Sequence, residues 1–160
     1  MEYKIQKSDD LYLIGLNSEM SLIKNKTLEL WQTFMPRQKE IAKRLGTEYY
    51  SVEVFADLEY FKEFNPNRKF EKWAAVRVEN FNTIPEGMSK LKISSSLYAV
   101  FTYLGKASDA FKAYQYIYEE WIPSSDYELE NKAHFAIMGK KYLGENPYSE
   151  EEIWIPVKKG

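Results

Sequence analysis

Apolar positions along this chain change period several times, and the changes divide it into elements. Residues 10–19, DLYLIGLNSE, mix branched and aromatic residues and predict a strand. From 21 to 45 the spacing turns helical. Leu28, Trp31, Met35 and Gln38 recur at three and four, and Pro36 inside this stretch predicts a kink or a break. Gly46 closes the helix. Alternation returns at 48–56, EYYSVEVFA, and again at 69–78, KFEKWAAVRV. The polar, aromatic stretch between them contains Asn-Pro-Asn and predicts a loop, and IPEG at 84–87 predicts a turn.

The pattern then begins again. KISSSLYAVFTYL at 92–104 predicts a strand, and 109–121, DAFKAYQYIYEEW, predicts a helix with Ser108 and Asp109 as candidate caps and Pro123 beyond its end. Residues 127–138 and 151–158 predict two more strands, separated by a GENPYS turn. The two halves resemble each other. LYLIG at 11–15 pairs with LYAVF at 97–101, TFMP at 33–36 with EWIP at 120–123, and EKWAAV at 71–76 with EIWIPV at 152–157. The expected fold is therefore α+β, a tandem strand–helix–strand–strand repeat over about 10–80 and 92–158 within one domain, 1–160. Its antiparallel sheet would carry both helices on one face, with a central groove between them as the natural ligand site.

Composition narrows the function. At 160 residues, 44% hydrophobic and 29% charged, the chain suits an ordinary globular domain. Its net charge of −2 offers no basic field for nucleic acid. It has no cysteine, which removes disulfides and thiolate chemistry, and no clustering predicts a metal or a cofactor. The charged start is unlike a signal peptide, and no apolar run approaches the roughly 18 residues of a membrane span, so a cytoplasmic location is expected. The informative departure is the aromatic share, 16%, with 13 Tyr and 4 Trp. Such residues fill cores, and they also line pockets for flat or cationic organic molecules.

Within that frame, alternation in the last strand places Glu152 and Trp154 on one face and Ile153, Ile155 and Val157 on the other. If the Glu152 face looks into the groove, this carboxylate is a charge partner for a cation or a general acid–base. Otherwise it is a solvated strand residue. Trp73 is the repeat mate of Trp154, and Glu71 of Glu152. Phe111, Tyr114, Tyr118 and Trp121 form one helical stripe, with Trp121 the member expected to keep some exposure. Tyr50 and Phe135 complete the candidate walls. His134, the single histidine, reads as a plain strand residue.

These segments carry a resemblance. YQYIYEEWIPSSDYEL at 114–129, EEIWIPVK at 151–158, IPEGMSKLKISSSLYAVFTYLG at 84–105 and LYLIGL with LWQTF resemble the GyrI-like small-molecule-binding domain. That is the AraC/BmrR-type effector-binding domain of multidrug transcription regulators. The resemblance spans nearly the whole chain and implies a groove for hydrophobic, often cationic compounds with an acidic residue at its centre. Glu152 matches the last-strand glutamate and Trp121 the helix-end tryptophan. Two departures stand out: Phe135-Ala136 replaces the frequent Phe-Glu pair, and Ile93-Ser94-Ser95-Ser96 replaces an IPAG turn.

Three functions follow as expectations. The first is a stand-alone binding protein for drug-like or toxin molecules, with Glu152, Trp121, Trp73, Tyr50, Phe135 and Tyr118 at the site. The second is a detoxifying hydrolase of strained electrophiles such as cyclopropanes, with Glu152 and Tyr50 as its catalytic pair. The third is a modulator of a protein partner, of the gyrase-inhibitory type.

Overall fold

The computed structural model describes all residues, 1–160. Nine strands form one antiparallel, curled sheet, and two short helices pack against one of its faces. The strands are β1 (Tyr3–Lys7), β2 (Leu11–Ser21), β3 (Tyr49–Val54), β4 (Lys69–Arg77), β5 (Ser89–Ile93), β6 (Leu97–Leu104), β7 (Tyr127–Leu129), β8 (His134–Met138) and β9 (Glu150–Lys159). The helices are α1 (Thr27–Phe34) and α2 (Ala110–Tyr116). No helix is long and apolar enough to cross a membrane.

The hydrogen-bonded order is β1-β6-β9-β8-β3-β4-β2-β5, with β7 on the far end of β9. This order is symmetric about its middle. The trio β2, β3, β4 with α1 mirrors the trio β6, β8, β9 with α2, and the trios meet where β3 pairs β8. The short strand ahead of each trio crosses over: β1 pairs β6, and β5 pairs β2. The sheet rolls until its ends meet. Ile93 of β5 and Tyr98 of β6 share one core cluster, and Ser8 and Ser95 bond across the β1–β2 and β5–β6 turns.

Strand alternation divides the side chains between two interiors. On the inner, concave face lie Leu13, Tyr50, Val52, Trp73, Tyr98, Val100, Phe135 and Trp154. On the outer face α1 covers Ile14, Ala74 and Val76 through Leu30 and Phe34, while α2 and the turn after it cover Ala99, Phe101, Ile153 and Ile155. Each helix covers its own trio. The middle of the outer face, over β3 and β8, lies between them.

Local sequence explains where the elements depart from expectation. The first helix, expected from residue 21, begins at Thr27 because β2 runs on to Ser21 and Asn25 Oδ1 caps the Thr27 amide at 2.9 Å. Pro36 breaks it, and residues Met35–Glu40 continue as a 3₁₀ turn. The second helix runs through a π turn, Ile117–Trp121, before Pro123. The single strand expected over 92–104 is two, parted by the Ser94–Ser96 corner, and that expected over 127–138 is also two. Strand β1 was not foreseen; Lys4, Gln6 and Lys7 hide it among polar and charged residues.

Candidate functional site

The side chains expected to form one groove lie on both sides of the sheet. Tyr50, Trp73, Phe135 and Glu152 share the concave face, whereas Tyr118 and Trp121 belong to the helix-covered face. Strand parity thus puts Glu152 and Trp121, expected together at one site, on opposite faces of the sheet.

On the concave side the aromatics are packed core. Phe135 stacks on Trp154 (5.2 Å, 17°), and Tyr98 meets both edge-on. Trp73 is buried, and its Nε1 has no partner. Contacts of this kind contribute about 0.5–1.5 kcal/mol each beyond burial, which accounts for these rings as structure. At the mouth of this interior a cavity of about 290 Å³ opens, lined by Glu152, Tyr50, Arg77, Glu48, Ile137 and Leu45. Trp154 Nε1 donates to Glu152 Oε1 at 3.2 Å.

The helix-covered face carries a different chemistry. Trp121, expected to stay partly exposed, is buried. The π turn adds a residue to the helical turn and packs the indole edge-on against Phe101 (5.0 Å, 90°) and Tyr3. Phe111, at the other end of the stripe, is exposed. Between them Tyr114 and Tyr118 stack over the middle of the sheet, 6.5 Å apart. The segment after β3 folds in opposite them. Its 3₁₀ turn, Leu58–Phe61, is capped by Asp57 and brings Phe61 to 5.1 Å from Tyr118 and into a stack on His134 (5.2 Å, 16°). Phe55 and Tyr60 complete this wall.

The floor is charged. Glu53 of β3 pairs with Lys72 of β4 at 3.9 Å, both largely buried. Glu151 of β9 is opposite Tyr103 on the same face. Burial holds the Glu151 carboxyl above its usual pKa, and Lys72 only partly offsets this. The hydroxyls of Tyr114 and Tyr118 are pushed well above the usual phenol range, by burial first and then by the Glu53 charge. Glu151 adds to the same upward pressure at Tyr103, Tyr114 and Tyr142. Two carboxylates thus sit under a ring of phenols. Carboxylates and aromatic π faces are the two kinds of group that attract organic cations.

His134 lies beside this floor. It is buried, its pKa is depressed to about 3 by loss of solvent, and its Nδ1 hydrogen-bonds with the Tyr118 hydroxyl at 2.9 Å. Ala136, where a glutamate was noted as frequent, is buried on the same face as His134 and pairs with Ser51. Sequence reasoning passed over Glu53, Glu151, Lys72 and Tyr114 as site residues. Parity was the available signal, because Glu151 shares a face with Ile153 and Ile155, and those are the positions that pack under α2.

Comparison with known proteins agrees with this architecture. The family model of Cass2, the integron-associated effector binding protein, matches residues 4–157. The transcriptional regulator BrlR of Pseudomonas aeruginosa is 28% identical over 130 residues, 81% of this chain and 45% of BrlR. The chain spans less than half the length of that relative. The structure of SAV2435 bound to tetraphenylphosphonium superposes with a TM-score of 0.73 at 20% identity, over 99% of this chain and 94% of SAV2435. The integron cassette protein VCH_CASS2 of Vibrio cholerae gives 0.68 at 14% identity, over 98% and 95% of the two chains. At these identities the two structures speak for the fold, while the family model covers nearly every residue: the chain belongs to the Cass2 family of effector binding proteins, with the GyrI-like architecture that its segments resemble.

Proposed function

We propose that the protein binds a hydrophobic, cationic small molecule in the groove between α1 and α2. The observation that carries this reading is the pair of partly dry carboxylates, Glu53 and Glu151, beneath Tyr114 and Tyr118 on the face between the helices. Lys72 neutralises one of the two charges. The remaining charge, in a site of low polarity, favours a delocalised cation whose own desolvation costs little. Phe61, Tyr114 and Tyr118 supply flat surfaces for such a ligand. The fold it shares with SAV2435, a protein seen with tetraphenylphosphonium, makes that cation the natural first probe.

The test is calorimetric titration of tetraphenylphosphonium into wild type, Glu151→Gln and Glu152→Gln. Loss of the Glu151 charge is expected to weaken binding about tenfold, near 1.4 kcal/mol, while Glu152→Gln changes it less than about twofold. Equal affinity in wild type and Glu151→Gln rules out the carboxylate role. A loss confined to Glu152→Gln moves the site to the concave face.

A further inference from the structure

The cavity at the concave mouth is built unlike the helix groove, with charges of both signs held apart. Arg77, on β4, is half-buried and takes part in none of the ion pairs. Its main chain is fixed from both sides, since its carbonyl accepts from Leu45 N at 2.8 Å and β2 pairs it opposite Leu13. Glu152 spends Oε1 on the Trp154 indole and keeps Oε2 for a ligand.

Glu48 is the third charge. Its carboxylate lies against Gly46, whose φ of +72° lies in the left-handed region. A Cβ at Gly46 would meet only the flexible end of the Glu48 side chain, so it is the positive φ of the turn that favours glycine here. Burial raises the Tyr50 hydroxyl pKa, and the neighbouring Arg77 draws it back, so the phenol stays a neutral donor. Ile137 and Leu45 give the cavity an apolar flank.

We propose that this cavity is a second binding site, separate from the helix groove, and that it takes a compact zwitterion of the α-amino-acid class. The ligand carboxylate would meet the Arg77 guanidinium, whose planar fork matches it. Its ammonium would meet Glu48 and Glu152, and a short apolar side chain would lie on Ile137 and Leu45. Lining charges of −2 and +1 favour a ligand that carries both signs over a bare anion, which two carboxylates repel. The volume is at the small end of ligand pockets, which suits one amino acid. Residues Glu151 and Glu152 thus serve two sites back to back through one peptide bond.

The experiment is thermal unfolding and Trp emission of the full chain with L-leucine, L-methionine and L-glutamine, each to about 10 mM, a range that reveals a Kd of about 1 mM. At least one is expected to raise the midpoint and shift the summed emission of the four tryptophans, of which Trp154 touches Glu152. Its amide, lacking the carboxylate, and its N-acetyl form, lacking the ammonium, are expected to do neither. These comparisons use wild type and so do not depend on any variant folding. Arg77→Gln and Glu152→Gln are each expected to weaken binding tenfold or more while tetraphenylphosphonium binding stays within about twofold. No response to any of the three amino acids overturns the proposal. So does a response kept by the amide or by Arg77→Gln. Failure of the helix-groove reading through equal affinity in wild type and Glu151→Gln leaves this result unaffected, whereas a tetraphenylphosphonium loss confined to Glu152→Gln overturns the separation of the two sites.

Discussion

Glu151 and Glu152 are neighbours on β9, and they serve opposite faces of the sheet. Glu151 lies opposite Tyr103 beneath the helices, while Glu152 lies opposite Thr102 and receives a hydrogen bond from Trp154. Loss of solvent lifts the pKa of Glu151. A carboxylate that binds a cation must be ionised to do so, so the lifted pKa makes the binding proposed for the helix groove depend on pH.

Tetraphenylphosphonium affinity is expected to rise with pH through the acidic range and to level off once Glu151 is ionised. The sign follows from the direction of the shift: protonation of Glu151 persists to higher pH than in an ordinary glutamate, and the proton competes with the cation. In Glu151→Gln the rise is expected to flatten. Titrations between pH 5 and 8 test this, and a wild-type profile as flat as the variant's would rule it out. The same shift has an opposite consequence for folding. The folded state holds the Glu151 proton more tightly than the unfolded chain, so this contribution is present below the ordinary glutamate pKa and is lost as pH rises through the raised one.

Tyr118 allows ring and hydroxyl to be separated. In Tyr118→Phe the aromatic wall remains, and His134 Nδ1 loses its 2.9 Å partner. Affinity for the cation is expected to stay within about twofold, while stability falls by about 1–3 kcal/mol for the buried group left unpaired. In Tyr118→Ala both are expected to fall. Urea unfolding alongside the binding titration distinguishes the two outcomes. An affinity loss as large in Phe as in Ala would place the interaction at the hydroxyl.

Much of the fold was legible in the sequence, because β2, β3, β4, β6 and β9 are rich in branched and aromatic residues; burial alternates in β3, while the middles of β4, β6 and β9 are buried on both faces. The site was less so. The two opposite surfaces of one sheet are equally apolar here: Trp73 and Phe135 on one side look in sequence like Phe70 and Phe101 on the other. Parity within β9 separates Glu152 from Ile153 correctly, but it does not say which face the helices take. Trp121 misled for a further reason. A π turn is invisible to a three-and-four pattern, and it turned an expected rim residue into core. Phe61 lay in a stretch that reads as loop, and only the Asp57 cap fixes it as a wall of the groove.

Gly15 tests the closeness of the sheet itself. It lies in β2 between β4 and β5, where an added Cβ would stand 2.7 Å from Ala75 Cα and collide with the Ala74 carbonyl. Neither neighbour is a flexible side-chain end, so the strands must part. Gly15→Ala is expected to cost at least about 2–3 kcal/mol of stability, in the range of overpacked cores. Chemical denaturation measures it, and a loss under about 0.5 kcal/mol would mean that β2 and β4 separate more easily than their nine paired positions imply.

His134 gives the acid limb of stability. Its folded pKa, about 3, lies below the 6.5 of an unhindered imidazole because the ring is buried against Phe61 and Phe55. Below 6.5 the unfolded chain takes up a proton that the folded chain refuses. Stability is therefore lost as pH falls from about 6.5 towards 3, by about 2 kcal/mol near pH 5 and about 4 kcal/mol at the end of the range. Glu53 on the facing strand, Glu151 across the groove and Lys72 also act on this floor, and they are present in any His134 variant. The difference between wild type and His134→Phe therefore isolates the imidazole. The variant loses the bond to Tyr118 and starts less stable near neutral pH, but its stability is expected to fall less steeply on acidification, so that the two curves converge. Parallel curves from pH 7 to pH 4 would show that His134 accepts its proton inside the folded protein and that the groove admits water to it.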